Sequence, residues 1–130
     1  MQEPVWIREI EALALHAQQI TLFGGSYGLR DRGLLDSALA RPKNLFAYGE
    51  RVLTMADLAA AYAFGISGNH AFLDGNKRTA MAVAFVFLEF NGVAVTASQE
   101  EACLTFLRLA AGELNEAELA FWFAERTTPL

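Results

Sequence analysis

His70-Ala71-Phe72-Leu73-Asp74-Gly75-Asn76-Lys77-Arg78 is a short, mostly polar loop set between two helix-forming segments. After it, residues 80–88 make the longest apolar run of the chain, nine residues. Met81, Val83, Phe85, Val86, Phe87, Leu88 and Phe90 would cover every face of a helix over residues 79–90. A helix that is apolar all round belongs at the centre of its domain. Before the loop, Thr54 can cap a helix and Asp57 opposes its positive end. That helix continues through the alanine-rich residues 58–66, where small side chains let another helix approach closely, and Ser67-Gly68-Asn69 is expected to break it. The polar loop therefore joins two buried helices.

Outward from this pair, the remaining elements are also helical. The first helix is expected over residues 4–23, with Pro4 at an early helical position and Gly24-Gly25 ending it. A glycine-rich loop covers residues 24–33. A short helix follows over residues 33–40 and ends at Arg41-Pro42, because the residue before proline is pushed out of helical geometry. Residues 43–53 read as irregular, a hairpin or turn. Asn91-Gly92 closes the apolar helix with a left-handed cap at Gly92, and residues 93–96 read as extended. Ser98-Gln99-Glu100-Glu101 has the capping-box pattern and opens a helix to about residue 111. Asn115 opens a last one to about residue 126, with Thr127-Thr128-Pro129 as a frayed tail. The expectation is one all-α domain over residues 1–130, a compact helical bundle with a short extended flap segment.

Bulk composition fits this. The chain has 130 residues, 54% hydrophobic and 19% charged, too apolar for disorder. Ten Phe suggest a densely filled interior. The net charge is −5, which argues against nucleic acid as a direct partner. Residues 26–78 nevertheless carry seven Lys/Arg against five Asp/Glu, and residues 79–130 two against seven. The middle of the chain is the better home for an anionic ligand. One cysteine, Cys103, excludes an intrachain disulfide and fits a cytoplasmic setting. The N-terminus lacks a secretory signal pattern, and nine apolar residues fall short of the roughly 20 of a membrane span.

The loop gathers chemistry. His70 is the residue type best suited to accept a proton near neutral pH. Asp74 offers the hard carboxylate that Mg²⁺ prefers when it also holds phosphates. Gly75 and Asn76 present backbone N–H groups at a helix start, an anion site by geometry and dipole. Lys77 and Arg78 add positive charge there, at the electrostatically wrong end of a helix. A bound anion would reverse that penalty. Phe72 is expected to point inward and anchor the loop.

These residues resemble the signature of the Fic/Doc (Fido) superfamily, whose core pattern is His-x-Phe-x-[Asp/Glu]-Gly-Asn-x-Arg. His70, Phe72, Asp74, Gly75, Asn76 and Arg78 match it. Residues 28–42 and 60–66 resemble segments of death-on-curing (Doc) toxins, so the likeness covers nearly the whole chain. The resemblance implies a Fido-type fold and an ATP- and Mg²⁺-dependent transferase. His70 would be the catalytic base on a protein hydroxyl and Asp74 the metal ligand. Gly75, Asn76, Lys77 and Arg78 would bind ATP phosphates. Lys77 between the Asn and the Arg is similar to the Doc branch, which sends a phosphoryl group to a translation elongation factor. Gly75 is the residue of the adenylylating (AMPylation) branch, and Ala71 replaces the usual proline. Some relatives carry a self-inhibitory Ser/Thr-x-x-x-Glu-Gly/Asn segment. Residues 96–100 come nearest, but Glu101 follows, so the resemblance favours a separate antitoxin, as in toxin–antitoxin pairs. A non-catalytic partner-binding module is the contrasting reading.

Outside the loop, plainer roles are expected. His16 lies in the first helix with no partner pattern and reads as a packing or surface residue. Cys103 and Trp122 read as core. Arg30, Arg32, Arg41, Lys43 and Arg51 read as a solvated surface or, alternatively, as a guide for a target protein. Residues 43–53 would supply the flap.

Overall fold

The computed structural model describes residues 1–49 and 51–130. Among them are six helices: α1 (Glu9–Phe23), α2 (Arg32–Tyr48), α3 (Met55–Asn69), α4 (Asn76–Phe90), α5 (Gln99–Ala110) and α6 (Glu116–Glu125). Two three-residue strands, β1 (Val93–Val95) and β2 (Thr127–Pro129), complete the fold. The all-α expectation holds.

The centre of the bundle is α3, not α4 as its apolar sequence implied. α3 packs against α2, α4, α5 and α6. Leu58 through Ala63 are all fully buried. Small side chains decide this: four helices close around a helix whose Ala59, Ala60, Ala61 and Ala63 project little. At Gly65 an added Cβ would already stand 3.4 Å from Ala38 of α2. α4 buries Val83, Ala84, Phe87 and Leu88, while Met81, Phe85 and Val86 are half-buried.

Three boundaries move for tertiary reasons. α1 begins at Glu9 rather than near Pro4, because residues 4–7 are held elsewhere. Val5 donates its N–H to Asn91 Oδ1 at 2.8 Å, and Ile7 donates to the Tyr62 hydroxyl at 2.9 Å. Arg8 then stops the chain with its N–H on the Glu11 carboxylate at 2.8 Å. Second, α2 runs through Pro42 to Tyr48, so residues 43–48 of the segment expected to be an irregular flap are helical, and within that segment residue 50 lies outside the described residues. Proline forfeits one helical hydrogen bond, but its preference against helix in the preceding residue is a bias, not a bar. Pro42 is buried, and Arg41 is fixed by Glu116 of α6 at 2.8 Å and lies over the Phe64 ring. Third, the tail is ordered: Val93, Ala94 and Val95 pair antiparallel with Pro129, Thr128 and Thr127. Thr96 N–H to Arg126 C=O at 2.7 Å extends the pairing.

The caps read from sequence are in place. Thr54, Ser98 and Asn115 each accept an N–H three residues on, from Asp57, Glu101 and Glu118. No helix among the described residues is long and apolar enough to cross a membrane. Trp122 is buried as expected, but Cys103 is exposed. The buried stripe of α5 is Ala102, Thr105, Phe106 and Leu109, and Cys103 lies off it.

Tyr62 ties the N-terminal segment to the central helix. Burial pushes its phenol up to about 12. The unfolded chain loses that proton near 10 and the folded chain later. Stability is therefore expected to hold below pH 10 and fall as pH rises toward 12. Tyr62→Phe should abolish most of that fall and, by orphaning the Ile7 N–H, cost about 1–3 kcal/mol at neutral pH. Urea unfolding of both proteins across this pH range checks both outcomes.

Candidate functional site

The loop between α3 and α4 is framed by two left-handed residues. His70 ends α3 at φ 52°, ψ 48° and is the one non-glycine residue with positive φ among the described residues. Ser67, Gly68 and Asn69, expected to break the helix, lie inside it. Gly75 precedes α4 at φ 75°. A Cβ there would stand 3.0 Å from Ile20 Cδ1 of α1, so glycine has both a conformational and a steric reason at this position.

Residues 24–31 cradle the loop. Arg30 and Asp31 donate their N–H groups to Ala71 C=O at 2.7 and 3.0 Å, and Leu73 donates to Gly28 C=O at 3.1 Å. Leu29 and Phe72 form a β-bridge. The Arg30 side chain donates to His70 C=O at 2.8 Å and Asn69 C=O at 3.3 Å, satisfying the end of α3. Arg32, Arg41 and Arg51 form ion pairs with Glu9, Glu116 and Asp57. Four of the five cations read as plain surface thus have structural partners.

Each residue singled out in the loop has a definite place. Phe72 is buried, as expected. Asn76 folds its side chain back onto the Phe72 N–H and C=O, both at 3.0 Å, and staples the loop. The Asp74 carboxylate is exposed; one oxygen accepts the Gly75 N–H at 2.8 Å and the other the Ser26 N–H at 3.2 Å. The Gly75 N–H is therefore engaged, not open. At Gly25, φ 120°, an added Cβ would stand 2.5 Å from the Asp74 carboxylate, so that close approach needs glycine. Among the described residues no side chain caps α4, which leaves the first-turn amides of Asn76, Lys77 and Arg78 free.

Arg78 has partners of its own on α1 and just past its end. Its guanidinium turns to the end of α1 and donates to Gln19 C=O at 3.3 Å and Gly24 C=O at 2.9 Å, 5.7 Å from the Phe23 ring. The negative end of α1 thus offsets a charge that is misplaced on α4. Arg78 still borders the helix start: its Nη2 lies 3.5 Å from where a Gly75 Cβ would be. Lys77 and Arg78 share a hollow of about 180 Å³ with Phe23, Met81 and Cys103. The exposed His70 lines a different hollow of about 310 Å³, with Phe64, Ser67, Leu109 and Asn115. No three His, Cys, Asp or Glu side chains among the described residues cluster to hold a metal. A lone carboxylate suits Mg²⁺ that arrives on phosphate oxygens and keeps waters.

One contributor had no sequence signal. His16 of α1 is only 4% exposed. Its Nε2 lies 2.8 Å from Asp74 C=O, and its ring stacks on Phe72 at 3.9 Å and 6°.

A six-helix bundle organised around a polar loop, with an imidazole at one end and free helix-start amides at the other, defines the class. A model of the Fic/DOC family matches residues 6–88. The toxin Doc of Mycolicibacterium smegmatis is 47% identical over 75 residues, 58% of each chain. The protein kinase doc of Escherichia phage P1 is 36% identical over 110 residues, 85% of this chain and 86% of that one. The chain belongs to the Fic/DOC family.

Arg30→Ala should weaken the left-handed turn at His70. We expect a loss of about 1–2 kcal/mol in chemical denaturation, the size of a hydrogen bond made by a charged group partly open to water.

Proposed function

We propose that this chain is a Doc-like toxin that transfers the γ-phosphoryl group of ATP to a hydroxyl of a target protein, such as a translation elongation factor. A separate antitoxin would restrain it. The names of the two relatives, one a toxin and one a protein kinase, support this class. The observation that carries the reading is the open first turn of α4, flanked by Lys77, Arg78 and the Asp74 carboxylate. Free amides and two cations suit a polyphosphate.

In this reading Asp74 holds Mg²⁺, which would neutralise charge on the phosphate oxygens. The amides of residues 76–78, with Lys77 and Arg78, fix the phosphates. His70, unencumbered by any side-chain hydrogen bond among the described residues, takes the proton of the acceptor hydroxyl. That oxygen bonds to the γ-phosphorus as the bond to the bridging oxygen breaks, and ADP leaves. Adenylyl transfer is the runner-up, but Gly75 lends it little weight. Its left-handed φ and the nearness of Ile20 call for glycine whichever group is transferred.

ATP labelled separately at the α and γ positions, incubated with the chain and an elongation factor, separates the readings. Label from γ alone is expected. Label from α alone would establish adenylyl transfer, and a chain with no affinity for Mg·ATP would point to a binding module. His70→Ala should lower the transfer rate by about 10²–10⁴-fold, the usual contribution of a general base.

A further inference from the structure

We propose that His16 is a positioning residue for this loop, aiming the Asp74 carboxylate from a helix 58 residues away in sequence. A carbonyl oxygen only accepts, so Nε2 of His16 carries a proton and donates it to Asp74 C=O at 2.8 Å. The peptide that joins Asp74 to Gly75 is planar, with its C=O and N–H on opposite sides. Fixing the carbonyl direction therefore fixes where the Gly75 N–H points. It points at the Asp74 carboxylate, 2.8 Å away. One imidazole bond thus orients the peptide plane, the plane aims the N–H, and the N–H holds the carboxylate toward Ser26.

The ring does a second thing. It lies flat on Phe72 at 3.9 Å and 6°, and Phe72 is the buried anchor of the loop. A single side chain therefore registers the loop at its anchor and at its carboxylate. Ile20, one turn further along α1, closes the same face, with Cδ1 3.0 Å from the place a Gly75 Cβ would occupy. A residue kept only to fill space would need no donor here. Phenylalanine or leucine would serve as well in that role.

Three variants separate the donor from the ring. His16→Phe keeps an aromatic face for Phe72 and removes the donor. His16→Leu removes both. His16→Gln restores an N–H at comparable reach. Amide hydrogen exchange by NMR, without nucleotide, reads the loop independently of any transfer. Exchange at Phe72, Leu73 and Gly75 should become about tenfold faster in His16→Phe and His16→Leu, with α3 amides such as Ala60 unchanged. His16→Gln should return to within about threefold of the parent. These ratios correspond to about 1.4 kcal/mol of local opening at the tenfold level.

Unchanged loop exchange in both donorless variants would overturn the proposal. So would acceleration spread equally over α3, or a glutamine variant as fast as the phenylalanine one. The kinetic arm rests on the transfer reading: kcat should fall about 10–100-fold in His16→Phe, with KM for the target protein nearly unchanged and recovery in His16→Gln. A parent that transfers neither label would sink the transfer reading, while the exchange data would still decide whether His16 sets the loop.

Discussion

The left-handed backbone at His70 is the constraint on which the site depends. It ends the central helix at the point where the loop must turn, and it does so without glycine. For an L-residue that geometry costs about 1–2 kcal/mol. The surroundings supply the compensation. Arg30 takes the carbonyls of Asn69 and His70, the Arg30 and Asp31 amides take that of Ala71, and Asn69 Nδ2 donates to Leu34 C=O at 2.9 Å. A strained residue held by several independent bonds is what a site with a geometric task retains. The turn also leaves the imidazole exposed while Arg30 holds its carbonyl.

From this turn the chain reaches α4 through a loop whose polar backbone is largely spoken for. Gly28 and residues 30–31 hold one edge, Asn76 holds Phe72, and α1 holds Asp74. What stays open is the first turn of α4. Its amides are free because Gly75 brings no capping side chain, and because Asn76 uses its own amide on Phe72 rather than on the helix. Arg78 links this open end to the closed end of α1, so positive and negative helix termini meet through one guanidinium.

The loop was legible in the sequence because its chemistry is contiguous. Nine adjacent residues carried the imidazole, the carboxylate, the helix start and the cations, and local rules placed Phe72 inside. The same rules found the caps at Thr54, Ser98 and Asn115, since a cap is a three-residue affair. What sequence missed was long-range. Nothing near His16 or Arg30 marks them, because their partners lie 58 and 40 residues away. Pro42 read as a stop because the local penalty was visible and the packing that overrides it was not. The apolar α4 looked central because periodicity counts hydrophobic faces. Closeness of packing depends on smallness, and the alanines of α3 have it. Thr127–Pro129 gained strand structure only from β1, 32 residues earlier along the chain at the Val95–Thr127 pair and 36 at the Val93–Pro129 pair.

A nitrogen-15 NMR titration of the chain with Mg·ATP tests the central claim most directly. The amides of Asn76, Lys77 and Arg78 are expected to shift together and saturably, with Gly25 and Ser26 following through the Asp74 carboxylate, and the α5–α6 connection near Gly112 staying still. Saturable shifts elsewhere that leave residues 76–78 unmoved, or no saturable shift at all, would contradict the account.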